Sequence, residues 1–258
     1  MNSELHIGLL QPNIRWHNPP FNLQYIEKQI SEYPKSIDLW VLPELFSTGF
    51  TMQPHEVAEP MDGPTVGWML QTAATYQTAI AGSIVIQEES NFFNRFVMVQ
   101  PNGAIDFYDK KHPYTPSGEG NVYQAGTQKV CIEYKGWRIC PMICYDLRFP
   151  VWARNTDDYD LLLVVANWPK ARIQAWNTLL QARAIENMAY AIGVNRIGTD
   201  HHQLEYPGHS AVYDALGNEA LLLDPSQEVG VVSIDKSALY HLRKKLPFLE
   251  DRDAFSLE

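Results

Sequence analysis

Trp137-Arg138-Ile139-Cys140-Pro141-Met142-Ile143-Cys144-Tyr145-Asp146-Leu147-Arg148-Phe149-Pro150 is the stretch from which the chain is best read. Its first half is a short apolar run, the pattern of a buried strand. The run stops at Cys144. Tyr, Asp, Arg and then Pro150 follow, and a proline suits the first turn of a helix, because the amide it lacks has no helical partner there anyway. A strand that ends in cysteine and turns at once towards a helix is a geometry for a nucleophile. Backbone N–H groups at such a turn can hold an oxyanion, and a helix N-terminus is expected to lower the thiol pKa. The plain alternative is a small buried hydrophobe, which is the ordinary fate of cysteine.

Working outward, the chain reads as alternating strands and helices. Leu5–Gln11 alternates around Ile7 and Leu9 as a first strand. Asn18-Pro19-Pro20 reads as an N-cap with proline in the first turn, and Phe21, Leu23, Ile26 and Ile30 give a helical face through Tyr33. Leu39–Leu42 is a short buried strand stopped by Pro43, with Glu44 next. A helix is expected from Thr65 to Tyr76. Strands are expected over 79–86, 91–100 and 104–109, with a Pro101-Asn102-Gly103 turn. Lys110, Lys111 and His112 follow. Tyr114–Gly126 reads as a long loop. Strands are expected over 129–134 and 137–143, and a helix carrying Val151, Trp152 and Ala153 after Cys144. Leu161–Ala166 is the most apolar strand, ended by Asn167-Trp168-Pro169. A helix is expected over 175–189, with Trp176, Leu179, Leu180, Ala184, Ile185 and Met188 on its apolar face. Tyr190–Asn195 is a strand, and Thr199–Pro207 a polar loop holding His201 and His202. Strands over 208–213, 219–223 and 229–234 and a helix over 237–245 complete the chain. The polar tail 251–258 is expected to pack on a neighbouring copy. Without a tandem repeat, low-complexity tract or linker-like break, the 258 residues read as a single domain, 1–258, of α/β class.

Composition narrows the function. With 45% hydrophobic residues a large core is available. The formal net charge is -10 and no basic run of five or more occurs, so nucleic acid and anionic membrane surfaces are not expected partners. The start Met1-Asn2-Ser3-Glu4 has no basic segment ahead of an apolar one, so no signal peptide is expected. Nor is there an apolar run of membrane-spanning length. The odd cysteine set, Cys131, Cys140 and Cys144, points to free thiols in a reducing cytoplasm and matches no zinc pattern; no metal or cofactor is expected.

Glu44, Lys110 and Cys144 each stand at the end of an expected strand. Amide hydrolysis by a thiol needs a proton acceptor for the sulfur, a positive or N–H partner for the oxyanion, and a proton for the leaving amine. A carboxylate serves the first and third needs and a lysine the second, so a Glu–Lys–Cys set suffices without histidine. The plain readings stay open at this point: Glu44 as a loop charge, Lys110 as one of two surface lysines, His112 as the base of a Cys–His pair. His201 and His202, expected to face different ways, read as loop residues rather than metal ligands.

Leu42-Pro43-Glu44, Tyr108-Asp109-Lys110-Lys111-His112 and Cys144-Tyr145-Asp146-Leu147-Arg148-Phe149-Pro150, in this order, resemble the carbon–nitrogen hydrolase (nitrilase) superfamily. Ala166-Asn167-Trp168-Pro169, Ala182–Asn187 and Asn195-Arg196-Ile197-Gly198 extend the resemblance from Leu5 to about Phe248. The Asn-Trp-Pro and Cys-Tyr-Asp-Leu-Arg-Phe-Pro segments are most similar to the bacterial omega-amidase branch, which hydrolyses the terminal amide of 2-oxo acids such as 2-oxoglutaramate and 2-oxosuccinamate. The resemblance implies a four-layer α-β-β-α sandwich, usually dimerised. It implies Cys144 as nucleophile, Glu44 as general base, Lys110 as oxyanion-stabilising lysine, and Glu119 as a second glutamate that orients the lysine or substrate. His112-Pro113-Tyr114 departs from the common His-Leu-Phe and is expected to reshape the pocket wall. The backbone N–H of Tyr145 joins Lys110 at the oxyanion in this reading. Phe50 and Trp168 wall the pocket, and Arg172 binds the substrate carboxylate through two hydrogen bonds. The rival readings are another amidase or carbamoylase of the superfamily, with nitrile hydrolysis a lesser option, and a catalytically silent scaffold. A Cys144 no more reactive to a thiol probe than Cys131 and Cys140 is the expected mark of the scaffold.

Overall fold

The computed structural model describes residues 3–34 and 36–256. The expected starting segment Met1-Asn2 and the last two residues of the tail, Leu257 and Glu258, lie outside the described residues. In chain order the main elements are β1 (Glu4–Leu10), α1 (Pro19–Ser31), β2 (Leu39–Val41), α2 (Pro64–Tyr76), β3 (Ala79–Glu88), β4 (Asn91–Val99), β5 (Ile105–Asp109), β6 (Ile132–Tyr134) and β7 (Trp137–Ile143). They continue as α3 (Pro150–Ala153), β8 (Leu161–Val165), α4 (Ile173–Asn187), β9 (Tyr190–Val194), β10 (Ile197–Thr199), β11 (Glu205–Pro207), β12 (Ala211–Tyr213), β13 (Glu219–Leu222), β14 (Val229–Asp235) and α5 (Lys236–Lys245).

Two six-stranded sheets form, in the orders β14-β1-β2-β3-β4-β5 and β13-β12-β9-β8-β7-β6. Alternation along the strands sorts their side chains into layers. From the first sheet, Leu5, Ile7, Leu9, Leu39, Val41, Ala79, Ala81, Phe96 and Met98 meet the second sheet in one core. The intervening Trp40, Ile80, Val97 and Val99 face the other way and pack with Leu23, Ile26 and Ile30 of α1 and Val66, Met69 and Ala73 of α2. On the far side of the second sheet, α4 supplies Trp176, Leu180 and Ala184. A Cβ on Gly193 of β9 would stand 2.5 Å from Leu180, so close approach of α4 requires glycine there. The result is the expected α-β-β-α sandwich.

The N-cap reading of α1 holds: Asn18 Oδ1 accepts the Phe21 N–H at 3.2 Å. Three expectations need correction. In α4, Ile185 is 48% exposed and Leu179 only half-buried, while Arg183 and Asn187 turn inward. Arg183 Nη2 donates to the Leu147 carbonyl at 2.7 Å, and Asn187 is tied to Asn155, so polar anchoring sets the helix's rotation as much as its apolar stripe does. The polar Thr199–Pro207 segment is no plain loop: it contains the turn and returning strand of a β10–β11 hairpin. Within it the rings of His201 and His202 lie 3.7 Å apart rather than facing away from each other. Finally, Lys129–Tyr134 is strand only from Ile132 onward.

Candidate active site

Lys110, Glu44 and Cys144 come together as expected, and Glu119 joins them. Lys110 follows directly on β5, Cys144 directly on β7, and Glu44 lies three residues beyond β2. Parallel pairing of β7 with β8 brings Asn167, just past β8, alongside Cys144. Lys110 Nζ donates to Glu44 Oε1 at 2.8 Å and to the two oxygens of Glu119 at 3.0 and 2.9 Å. Glu44 and Glu119 are 0% exposed and Lys110 2%, which rules out the readings of Glu44 and Lys110 as surface charges. Cys144 is half-buried and opens on the same pocket; its Sγ is 3.9 Å from the Asn167 carbonyl oxygen.

Buried charge of this density persists only where its hydrogen bonds are made. Asn94 on β4 makes many of them. Its Nδ2 donates to Glu44 Oε1 at 2.8 Å and to Glu119 Oε1 at 3.2 Å, and its Oδ1 accepts from Ser83 Oγ at 2.9 Å. Ser83 Oγ in turn accepts the Leu45 N–H, beside Glu44. The Asn167 N–H donates to Glu44 Oε2 at 2.8 Å, and its Nδ2 to the Glu44 carbonyl at 2.6 Å. The Tyr114 N–H donates to Glu119 Oε2. Each carboxylate therefore has a fixed orientation.

Two carboxylates against one ammonium leave the cluster with a net negative charge when all are ionised, and this decides the protonation states. Burial opposes the Lys110 cation, but the charges of Glu119 and Glu44 outweigh it and hold its pKa well above the ordinary value. Burial pushes the Glu119 carboxyl up, with Lys110 pulling the other way. For Cys144, burial and then the Glu44 charge push the thiol well above its usual range, against the pull of Lys110. The expectation of a lowered thiol pKa is thus corrected. What begins at Cys144 is a short 3₁₀ turn, Cys144–Arg148, whose dipole is small beside two buried carboxylates.

Cys144 itself adopts φ 47°, the left-handed region that non-glycine residues enter at some cost. The turn is held by Asp146, which is fully buried. Asp146 Oδ2 accepts the Ile143 N–H at 3.1 Å and the Tyr108 hydroxyl at 2.8 Å, while Oδ1 accepts the His112 N–H at 2.9 Å. The same Oδ1 lies 2.7 Å from His112 Nδ1. Asp146 thereby ties the cysteine turn to the segment that carries Lys110. His112, stacked on Phe149 at 3.7 Å, belongs to this brace and is not paired with Cys144. As second residue of the 3₁₀ turn, Tyr145 has a backbone N–H with no partner within the turn.

The pocket encloses about 280 Å³. Phe50, Trp168 and Arg172 all line it, as expected, and so do Tyr114, Arg148, Met52 and Tyr206. Lys110 Nζ lies 5.4 Å from the Phe50 ring centre. Arg172 sits over Tyr114 at 5.4 Å, and Arg148 over Trp168 at 4.9 Å, so two guanidiniums rim the pocket where one was expected. Of the two residues that depart from the common pattern, Pro113 and Tyr114, Tyr114 does form pocket wall. Asn94, Asp146 and Arg148 were not singled out from sequence. Asn94 left one signal, an amide inside a strand between Phe92-Phe93 and Phe96-Val97, where asparagine is disfavoured, though Arg95 beside it blurs that signal.

A two-sheet sandwich with a cysteine, a lysine and two carboxylates enclosed at its strand ends defines a class of thiol-bearing α/β proteins, and the comparisons name it. The chain belongs to the carbon–nitrogen hydrolase family, whose profile matches residues 6–244. It is 42% identical over 254 residues to the omega-amidase YafV of Escherichia coli (strain K12), covering 98% of each chain. It is 31% identical over 252 residues to the 2-oxoglutaramate amidase of Bacillus subtilis (strain 168), covering 95% of this chain and 96% of that one. Its structure matches that of a CN-hydrolase superfamily protein from Xanthomonas campestris bearing an arsenic adduct in the active site, with TM-score 0.96, 43% identity and 99% of each chain covered. Among the described residues no helix is long and apolar enough to cross a membrane.

Proposed function

We propose that the protein is an omega-amidase. It hydrolyses the terminal amide of 2-oxo dicarboxylic acid monoamides, such as 2-oxoglutaramate and 2-oxosuccinamate, to the 2-oxo acid and ammonia. The observation that carries this reading is the enclosed Glu44–Lys110–Glu119 cluster beside Cys144, in a pocket rimmed by Arg148 and Arg172. The names of the relatives in Escherichia coli and Bacillus subtilis point to the same reaction.

The chemistry follows from the protonation states. With its pKa raised, Cys144 rests as a neutral thiol, so proton loss accompanies attack. Glu44 accepts the thiol proton as sulfur bonds to the amide carbon. The charge that develops on the carbonyl oxygen is met by Lys110, kept cationic by its two carboxylates, and by the Tyr145 N–H. Glu44 passes the proton to the leaving nitrogen, the C–N bond breaks, and ammonia departs from a thioester. Glu44 then takes a proton from water as its oxygen attacks the thioester carbon, the C–S bond breaks, and Glu44 returns the proton to the departing sulfur. Glu119 holds Lys110 in place, bonding it with both oxygens. Phe50 and Trp168 exclude water from the pocket, and Arg172 pairs with the substrate carboxylate.

The three free thiols suit a cytoplasmic setting, and the whole chain is read as one domain that forms a homodimer. The experiment is ammonia release from 2-oxoglutaramate, glutamine and a simple aliphatic amide, by wild type and Cys144→Ala. Release that favours the 2-oxo acid amide and vanishes in the variant is expected. Equal release from all three would move the protein to a general amidase, and release by Cys144→Ala would sink the thioester route.

A further inference from the structure

The mechanism uses one of the three cysteines. The other two lie together on the neighbouring hairpin, away from the pocket. β6 and β7 are joined by Lys135-Gly136, both in the left-handed region at φ 48° and 79°, the signature of a two-residue type I′ turn. The register pairs Tyr134 with Trp137, Glu133 with Arg138, and Ile132 with Ile139. Cys131 lies one residue ahead of β6, and extending the same register by one residue sets it opposite Cys140.

Arg138 turns its backbone away from β6: its N–H donates to Asp160 Oδ2 at 3.0 Å, and its carbonyl accepts the Asp160 N–H at 2.8 Å. Glu133 and Arg138 are therefore a non-hydrogen-bonded pair, and two residues on, Cys131 and Cys140 are one also. Opposed Cα atoms at such positions stand about 4.5 Å apart with their side chains close. That lies within the span a disulfide accepts, about 4.4–6.8 Å between Cα atoms, though near its short end.

We propose that Cys131 and Cys140 form a second thiol site, which takes a reversible intramolecular disulfide when the protein meets a peroxide. Both thiols are free, and Cys131 packs against the core cluster that holds Cys140. Cys140 is fully buried, whereas Cys131, just ahead of the edge strand β6, is half-buried, so a small oxidant reaches Cys131 first. The neighbouring Cys140 thiol holds the Cys131 thiol below its usual pKa, and Lys129 and Arg138 act in the same direction against burial and Asp157. The Cys131 thiolate attacks one peroxide oxygen; the O–O bond breaks, and the departing hydroxide leaves as water after taking a proton. The sulfur of Cys140 then attacks the Cys131 sulfenic acid, and the displaced hydroxide leaves as water with the Cys140 proton. Two thiols are oxidised by two electrons, one peroxide is reduced, and two waters form. A tight cross-strand position makes such a bond easy to reduce again, as strained disulfides are.

Hydrogen peroxide treatment of the whole protein in a Cys144→Ser background, followed by alkylation and trypsin digestion without reductant, tests this. Trypsin cuts at Lys135 and Arg138, so the two cysteines fall in different peptides and only a covalent bond keeps them together. The expected result is a dominant linked pair lacking two hydrogen masses, restored by dithiothreitol and absent from Cys131→Ser. Over-oxidised Cys131 with an intact Cys140 thiol would overturn the proposal, as would a link between two molecules. In wild type Cys140 and Cys144 share the tryptic peptide 139–148, so fragmentation of that peptide locates the bond, and a link from Cys131 or Cys140 to Cys144 would also overturn the proposal.

Discussion

Cys131 and Cys144 are both half-buried, one just ahead of β6 and one just past β7, yet they belong to opposite kinds of thiol environment. Cys144 opens on a pocket but faces a buried cluster with more carboxylates than cations, and its thiol is pushed up. Cys131, paired with Cys140 across the hairpin, has a thiol partner and the Lys129 and Arg138 cations nearby, and its thiol is pulled down. What a sulfur can do is set by the charges and donors around it, not by the strand that presents it. The expected probe test for a scaffold therefore has to be recast. In the resting protein Cys131, not Cys144, should alkylate fastest at neutral pH, whether or not the protein is an enzyme.

The largest effect separates the two environments by chemistry. Glu44→Gln removes the proton acceptor and keeps the side chain's size, though its NH2 must face one of the donors that Glu44 now accepts from. Turnover should fall by about 10²- to 10⁴-fold, while the alkylation rate of Cys131 stays unchanged. A folded Glu44→Gln variant with wild-type turnover would remove Glu44 from the mechanism. Asn94→Ala should come next. It strips a donor from both Glu44 and Glu119, and leaving such buried groups short of a partner costs about 1–3 kcal/mol. A urea melt reads the loss, and turnover should fall with it because both carboxylates lose their orientation. Unchanged stability would mean that water or Lys110 alone satisfies the pair.

These two variants mark where sequence was legible. The strand Trp137–Ile143 and its abrupt end at Cys144 could be read because composition and position change together there. Lys110 and Glu44 were legible because each follows a strand directly or within three residues. Asn94 and Asp146 were not, since their meaning lies in partners 50 and 34 residues distant, Glu44 and His112, that only the assembled sheets bring near. The β10–β11 hairpin was hidden by its polar composition; one face of it is pocket wall, so no apolar alternation is required. Arg183 was hidden because its guanidinium bonds a carbonyl of the cysteine turn, a use that apolar periodicity does not register.

pH gives a subtler separation. A folded-state pKa raised above the unfolded value contributes stability that is present below the unfolded pKa and lost as pH rises through the folded one. Cys144, raised from an ordinary value of 9.0, follows this rule. Wild type should thus lose more stability between pH 7 and 10 than Cys144→Ala does, as urea midpoints at each pH would show. Cys131, shifted the other way, contributes with opposite sign, so Cys131→Ala should lose more than wild type over that interval. Parallel curves for all three proteins would contradict the assigned environments.

The smallest effect tests whether charge, rather than looseness of the hairpin end, governs Cys131. Lys129 lowers the Cys131 thiol pKa and Asp157 raises it, and the two pair at 2.7 Å. An ion pair of this kind carries about 0.2–1 kcal/mol, so each substitution should shift the rate only roughly 1.4- to 5-fold at neutral pH. The direction carries the information. Lys129→Ala removes a cation and should slow alkylation of Cys131; Asp157→Asn removes an anion and should speed it. If the variants instead acted by releasing Lys129 from the Arg154 carbonyl and loosening the segment, both would speed it. Opposite signs in the two rates would establish that the same electrostatic rule, with the charges reversed, tunes Cys131 ahead of β6 and Cys144 just past β7.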